Sequence, residues 1–395
     1  MSWETKRLEA VADFCLGKML DQKKNRGEPL PYLANVNVRW SEFDLCDLRE
    51  MPFEHHELER YGLRYGDIVM CEGGEPGRCA IWKDQRSSMM IQKALHRIRP
   101  HECLRPEFLY YFFLYRGRTG HLSPLFTGTT IKHLPREKLA LVEVPVPPHS
   151  AQDSITAVLS AYDDLIENNR RRIQLLEESA RLLYKEWFVH LRFPGHEHVK
   201  ITDGVPEGWE RKCLGNLCRE VRETVLPKEL EPKTPYIGLE HMPRRSISLR
   251  EWGCVEQVVS SKHRFRQGDI LFGKIRPYFH KVGAALVDGI ASSDAIVIRA
   301  NEENLMPIVL MTVSSDAFVA LTSQKMKEGS KMPRADWKQM KQYPVLLPQE
   351  SLLGLFNSVI SPILEQPKSL VFSNRKLIEA RDLLLPRLMN GEVML

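Results

Sequence analysis

From Ala151 to Val189, apolar and polar positions follow a seven-residue rhythm. Leu159, Ile166, Ile173, Ala180 and Trp187 occupy one seam position of the repeat. Ile155, Tyr162, Asn169, Leu176 and Leu183 occupy the other, so nine of the ten seam residues are apolar or aromatic. Asp163, Asp164, Glu167, Arg170 to Arg172, Glu177 and Glu178 fall on the outer faces. A heptad sustained this long predicts a coiled-coil helix rather than a core helix. At ~1.5 Å per residue it is roughly 58 Å long. Asn169, the single polar seam residue, reads as a device that sets how the helix pairs. A second heptad runs through Phe356, Ile363, Leu370, Leu377 and Leu384, with Pro362 and Pro367 inside it. Proline lacks the amide hydrogen and clashes with the preceding turn, so this helix is expected to kink or break.

The two helices follow two similar stretches of chain. Trp3-Glu4-Thr5-Lys6-Arg7-Leu8 recurs as Trp209-Glu210-Arg211-Lys212-Cys213-Leu214. Leu63-Arg64-Tyr65-Gly66-Asp67-Ile68 recurs as Phe265-Arg266-Gln267-Gly268-Asp269-Ile270. Ile131 to Arg136 answers to Gly329 to Arg334, Val144 to Pro148 to Tyr343 to Pro348, and Asn169-Arg170 to Asn374-Arg375. Five pairs in one order, each about 200 residues apart, mark an internal duplication. Gly-Asp-Ile reads as a turn entering a strand. The proline-rich segments read as the end of regular structure in each globular part. The stretch from Arg192 to Trp209, rich in Gly, Pro and His, reads as a linker. The organisation is 1–150 globular, 151–190 helix, 191–208 linker, 209–349 globular and 350–395 helix. Two helices in one chain pair most simply antiparallel. The fold class is α/β (α+β), with two similar domains separated by two long antiparallel coiled-coil helices in a pseudo-two-fold internal repeat.

Composition narrows the function. The chain has 395 residues, 43% hydrophobic and 27% charged, with a formal net charge of +5. A mildly basic balance permits a nucleic-acid partner without requiring one. The eight cysteines include no C-x-x-C pair, which excludes a zinc ribbon or a thioredoxin-like site. They read as buried thiols in a reducing cytosol. The start lacks the apolar run of a signal peptide and no stretch is apolar enough to span a membrane, so a cytoplasmic location is expected.

Catalytic motifs do not emerge. Gly268 to Ile275 has the glycines and the lysine of a phosphate loop, but Ile275 stands where a hydroxyl must hold magnesium. His190, His196 and His198 with Glu197 lack further ligands at metal spacing. Glu231-Pro232-Lys233 has no upstream Asp suited to a nuclease. Neither a nucleophile elbow nor a zinc-protease motif occurs. The tetrapeptide with which amino-methyltransferases clamp an adenine amino group is absent as well. So large a chain without them favours binding over catalysis. A methyltransferase lacking a recognisable motif and a pure coiled-coil scaffold are the rival classes.

Trp187-Phe188-Val189-His190-Leu191-Arg192-Phe193-Pro194-Gly195-His196-Glu197, followed by Gly204-Val205-Pro206-Glu207-Gly208-Trp209-Glu210, resembles the central region of type I restriction–modification specificity subunits. Arg381 to Leu388 with Gly391-Glu392 is similar to that family's ending, and the resemblance covers essentially the whole chain. It implies two target-recognition domains, each reading one half of a split site in double-stranded DNA, and no cofactor in this chain. It implies docking of two modification (methyltransferase) subunits that use S-adenosylmethionine, and of restriction (translocase/nuclease) subunits that use ATP and Mg. Reading bases needs Arg, Lys, Asn or Gln at groove edges. The candidates are Arg78, Lys132 and Arg136 in the first domain and Lys274, Arg276, Tyr278, Lys331 and Arg334 in the second. Thr129, Thr130 and Ser330 are candidates for phosphate contacts.

Overall fold

The computed structural model describes residues 3–393, apart from 22, 47 and 325–332. Ser330 and Lys331 therefore lie outside the described residues. The chain divides into two compact units, Met1–Ile166 with Lys376–Leu395 and Glu167–Arg375. The division runs through both long helices, so each unit holds a globular part and a segment of each helix.

In the first unit, an antiparallel sheet has the order Ala12–Leu16, Leu95–Pro100, Ile68–Cys71, Cys79–Ile81. Helix Pro106–Arg118 packs on it, burying Phe108, Tyr111 and Phe113 in its core. A smaller sheet joins Arg49–Phe53, Glu28–Leu33 and Met90–Ile91, the last two in parallel. The second unit repeats the plan with Cys218–Val221, Ala295–Ala300, Ile270–Gly273 and Val282–Ala285, adding Ser248–Leu249 at the edge. Helix Met306–Val313 stands where Pro106–Arg118 does in the first unit.

The Gly-Asp-Ile turns are built alike. Gly66 and Gly268 take φ of 87° and 85°, a left-handed conformation that glycine adopts without strain. Asp67 accepts the amide of Arg64 at 2.8 Å and a two-pronged ion pair from Arg99 at 2.7 Å on each arm. Asp269 does the same with the amide of Arg266 at 2.8 Å and with Arg299 at 2.7 and 2.6 Å. These hydrogen bonds hold both guanidinium groups above their ordinary range.

The proline-rich exits differ from the expectation. Glu143–Pro145 and Pro344–Leu347 are strands, paired antiparallel with Thr5–Arg7 and Glu210–Cys213. A two-stranded ladder consists of edges, where a proline lacking its amide hydrogen is tolerated. Each globular part is thereby closed by its own first and last strands.

The first long helix runs His149–Tyr184 and ends in a π turn, Lys185–Val189. Leu159, Ile166, Ile173, Ala180 and Trp187 are all buried, while Tyr162, Asn169, Leu176 and Leu183 are half-buried. The second helix, Glu350–Met389, is continuous through Pro362 and Pro367, which corrects the expected break. Pro362 lies on an exposed face, as does Ser358, whose carbonyl it leaves without an amide. Pro367 is buried in the seam. Packing offsets proline's cost of about 3 kcal/mol: Phe356 and Ile360 are buried in the second unit's core, and Leu370 and Val371 pack with Ile173.

Within each unit the helix segments run antiparallel. In the first, Ile155 and Leu159 share a core with Leu385, Leu388 and Met389, and Asp163 pairs with Arg381. In the second, Asn169 meets Asn374, Ile173 packs with Leu370, and the Trp187 ring lies 5.5 Å from that of Phe356. Among the seam candidates of the second helix, Phe356 and Leu370 are buried, and Ile363, Leu377 and Leu384 half-buried.

Among the described residues no single helix is long and apolar enough to cross a bilayer, although the bent pair Glu303–Val313 and Asp316–Ser323 is by length and composition. Ile308, Val309, Leu310 and Phe318 of that pair are buried in the second unit's core. The described residues contain no group of three His, Cys, Asp or Glu placed to hold a metal. Cys71, Cys79 and Cys218 are buried, but Cys213 and Cys254 are exposed, unlike the buried thiols expected of all eight.

Candidate nucleic-acid interface

In each unit, the loop that follows the Gly-Asp-Ile strand is joined to a second loop arriving from just ahead of the closing strand. In the first unit, Leu134 N donates to Glu72 O at 2.7 Å, and Gly73 and His133 form a bridge. Amide–carbonyl bonds of 2.8 Å in both directions between Thr127 and His133 pinch off a tip at 128–132. Gly128 begins that tip at φ 91°, and a Cβ there would stand 2.2 Å from Ile131 O, so only glycine fits. Thr129, Thr130, Ile131 and Lys132 are all exposed on it. Such a tip exposes two hydroxyls and an ammonium, groups of the kind that bind phosphates.

The second unit repeats the joint. Ala335 N donates to Lys274 O at 2.9 Å, Arg276 N to Pro333 O at 2.9 Å, and Ile275 bridges Arg334. The joint therefore matches Arg334 with His133. The sequence comparison had matched Arg334 with Arg136, a displacement of three residues. The loop crest is the short turn Pro277–Phe279, flanked by Arg276 and His280 at φ of 50° and 53°. Left-handed backbone at two non-glycine residues is uncommon and costs energy, which the surrounding structure must offset. The crest raises Tyr278, 52% exposed, and sets the guanidinium groups of Arg244 and Arg276 over the Phe279 ring at 4.4 and 5.8 Å.

The remaining candidates are partly committed within the fold. Arg78 is turned inward: Glu75 Oε2 accepts from it at 2.6 Å and Asn35 O at 3.1 Å, and its side chain is 14% exposed. Arg136 lies over the Phe14 ring at 5.1 Å and stays exposed. Lys274 Nζ donates to Ser293 O at 2.9 Å, and burial lowers its pKa. Arg334 faces Asp294 at 3.5 Å with most of its side chain open to solvent. Lys132, Thr129, Thr130, Arg276, Tyr278 and Arg334 thus keep polar atoms available to a ligand.

Sequence reasoning passed over several residues that shape these sites. Asp294 and Glu220 set the charge around Lys274, and Asn35 and Trp40 fasten the first loop. The Asp67–Arg99 and Asp269–Arg299 pairs were detectable, because Ile98-Arg99 and Ile298-Arg299 recur at nearly the same period as Gly-Asp-Ile.

Residues 2–178 match the family model described as type I restriction modification DNA specificity domain. The type I restriction enzyme MjaIX specificity subunit of Methanocaldococcus jannaschii is 22% identical, over 99% of this chain and 93% of its own. The EcoDI specificity subunit of Escherichia coli is also 22% identical, over 62% of this chain and 60% of its own. The crystal structure of the type I restriction–modification S subunit from M. genitalium superposes with a TM-score of 0.53 at 15% identity, covering 98% of this chain and 96% of that one.

Proposed function

This chain belongs to the family of type I restriction–modification specificity subunits, and from that premise we propose that each of its two globular parts reads one half of a split DNA target. Recognition of the DNA target is the family's work, and the chain is not itself an enzyme. The proposed reading domains are 1–150 and 209–349, carried on helices 151–190 and 350–395 and joined by the linker 191–208. The observation that supports this division most directly is the repeated joint of two loops, which carries unlike side chains in the two units.

In the first domain, Lys132, Thr129 and Thr130 are proposed to meet DNA, with Arg136 beside them. In the second, Arg276, Tyr278 and Arg334 do so, with Lys274 beneath. Arg and Lys favour guanine's acceptors in the major groove, while hydroxyls favour phosphates. Asn169 and Asn374 are proposed to set the pairing of the helices. Two modification subunits bring S-adenosylmethionine and methylate adenine. Restriction subunits, with ATP and Mg, complete the complex in the cytoplasm. A methyltransferase must turn its base out of the duplex, so choice of site and chemistry separate readily between subunits.

Mapping methylated adenines in cells that carry this chain with its modification partner tests the reading. A motif of two short halves with an unread gap is expected. Replacing Thr5 to Val146 with a relative's segment is expected to change one half alone. A continuous motif, or a swap that alters both halves, overturns the modular reading. Affinity for DNA is expected to fall steeply with salt, because each phosphate contacted releases counterions.

A further inference from the structure

A chain of polar contacts within the first unit runs from the second long helix to the reading loop. Asp382 accepts from Arg118 and, at 3.0 and 2.8 Å, from Nε and Nη2 of Arg381. Arg381 is 1% exposed and donates also to Asp163, whose other oxygen accepts the Tyr111 hydroxyl at 2.9 Å. The Arg118 guanidinium lies 5.6 Å from the Trp40 ring centroid. Trp40 fits against Gly117, where a Cβ would stand 2.7 Å from the ring and 3.0 Å from Gly77 O. Trp40 Nε1 donates to Glu75 Oε1 at 2.7 Å, and Arg78 Nη1 to Glu75 Oε2 at 2.6 Å. Arg78 Nη2 reaches Asn35 O at 3.1 Å, and Asn35 Nδ2 donates to Gly73 O at 2.6 Å. Gly73 is the residue that bridges to His133 and so to the tip carrying Lys132.

We propose that Asp382, Arg118, Trp40, Glu75 and Arg78 form a positioning relay, by which the end of the second helix fixes the geometry of the first domain's reading loop and hence its half-site. The inference rests on the DNA-reading assignment above. The outer members are poor stabilisers. Glu75 is 51% exposed, and an exposed carboxylate held between two partners adds little to folding energy. The effect of such a clamp is placement. Reading a base edge requires side chains held within about 0.5 Å, which only a supporting shell provides. At the position that the joint matches with Glu75, the second unit has Pro277. Its loop of Lys274 to His280 is held by other contacts: Arg245 N donates to His280 O at 2.9 Å, and Asp316 faces the His280 imidazole at 3.4 Å and Arg245 Nη1 at 2.8 Å. The relay therefore bears on one half-site alone.

The test maps methylated adenines in cells carrying the modification partner and either Asp382→Asn, Trp40→Phe or Glu75→Gln, with Asp382→Glu as the conservative rescue and Lys132→Ala as a direct loop control. Trp40→Phe keeps a ring under Arg118 but removes the donor to Glu75. The three relay variants are expected to lower discrimination at the first half-site by about tenfold, the scale of one good base contact. The second half-site and the gap stay unchanged, and Asp382→Glu restores discrimination. Melting of the purified variants is measured alongside. An unchanged first half-site, or equal loosening of both halves, overturns the relay whatever the melting shows. If Lys132→Ala and the relay variants all leave the first half-site intact, the reading assignment itself fails. If Lys132→Ala alone alters it, only the relay fails.

Discussion

In the first unit, the loop beyond the Gly-Asp-Ile strand contains Glu72, Gly73, Gly74 and Glu75, and its one cation, Arg78, is turned inward. In the second, the corresponding loop carries Arg276 and Tyr278 outward on a left-handed crest, with Lys274 half-buried before it. The bridge beneath is the same, Gly73 to His133 in one unit and Ile275 to Arg334 in the other. So is the buried Asp–Arg pair that supports the strand. Duplication has kept the joint and the strut and let the presented chemistry diverge. On the proposed reading, the shared parts answer to folding, and the unlike parts to what each half contacts.

The largest expected effect probes the shared strut. Asp67 and Asp269 are almost wholly buried, and removing one partner leaves the other charge without compensation. Asp67→Ala and Asp269→Ala are each expected to cost about 3–5 kcal/mol, confined to their own unit. Hydrogen exchange resolved by peptide, with urea unfolding, checks this. A loss below about 1 kcal/mol, the range of surface pairs, would end the idea that the strut carries each unit.

The next effect probes the difference. Arg276→Ala with Tyr278→Ala is expected to cost about 1–3 kcal/mol of discrimination at the second half-site and nothing at the first. Duplexes altered in one half at a time give the measurement. Loss at both halves would mean that the crest contributes only general affinity.

A smaller effect concerns the helix seam. Asn169 Nδ2 donates to Asn374 Oδ1 at 2.9 Å. Asn169→Leu removes the donor to Asn374 Oδ1 and is expected to destabilise by about 1–3 kcal/mol. Asn169→Leu with Asn374→Leu is expected to regain that stability in thermal melts. A double variant no better than the single one would show that the pair does not act as a unit.

The smallest effect is common to both units. His96 and His280 are buried, and each donates from Nε2 to a backbone carbonyl, Leu134 O and Ser314 O, at 2.8 Å. Burial lowers both imidazoles below their ordinary 6.5. The unfolded chain then binds more protons as pH falls through 6.5, so stability is full above that value and declines below it. Melts at pH 7.5 and 5.5 are expected to show the decline, and His280→Gln to reduce it in the second unit. A pH response unchanged by His280→Gln would assign it elsewhere.

Much of the architecture is legible in the chain because periodicity is a direct imprint of burial. The seam from Ile155 to Trp187 and the paired Gly-Asp-Ile turns are visible for that reason. Pro362 and Pro367 misled because propensity is local, whereas the second helix is held by tertiary packing. Arg381 was missed in the seam because an arginine on an apolar stripe looks like a surface residue until Asp163 and Asp382 are found beside it. The sites were less legible. Arg78 and Arg276 look alike in a sequence, and only the placement of Glu75 and Asn35 distinguishes an inward cation from an outward one. The three-residue displacement between His133 and Arg334 has the same origin, since loops keep their joints while their lengths drift.

The grouping of Lys376–Leu395 with Met1–Ile166 has a consequence for biosynthesis. A ribosome releases the chain in order, so the first unit's sheets emerge long before the helix segment that completes their core. Leu385, Leu388 and Met389, which close over Ile155 and Leu159, arrive only after every residue of the second unit. Domains generally fold as they emerge, N-terminal first. Here the half made first must wait, with part of its apolar surface uncovered, for the half made second. A premature stop codon just after Arg375 would leave the second unit's own residues intact and the first unit unfinished.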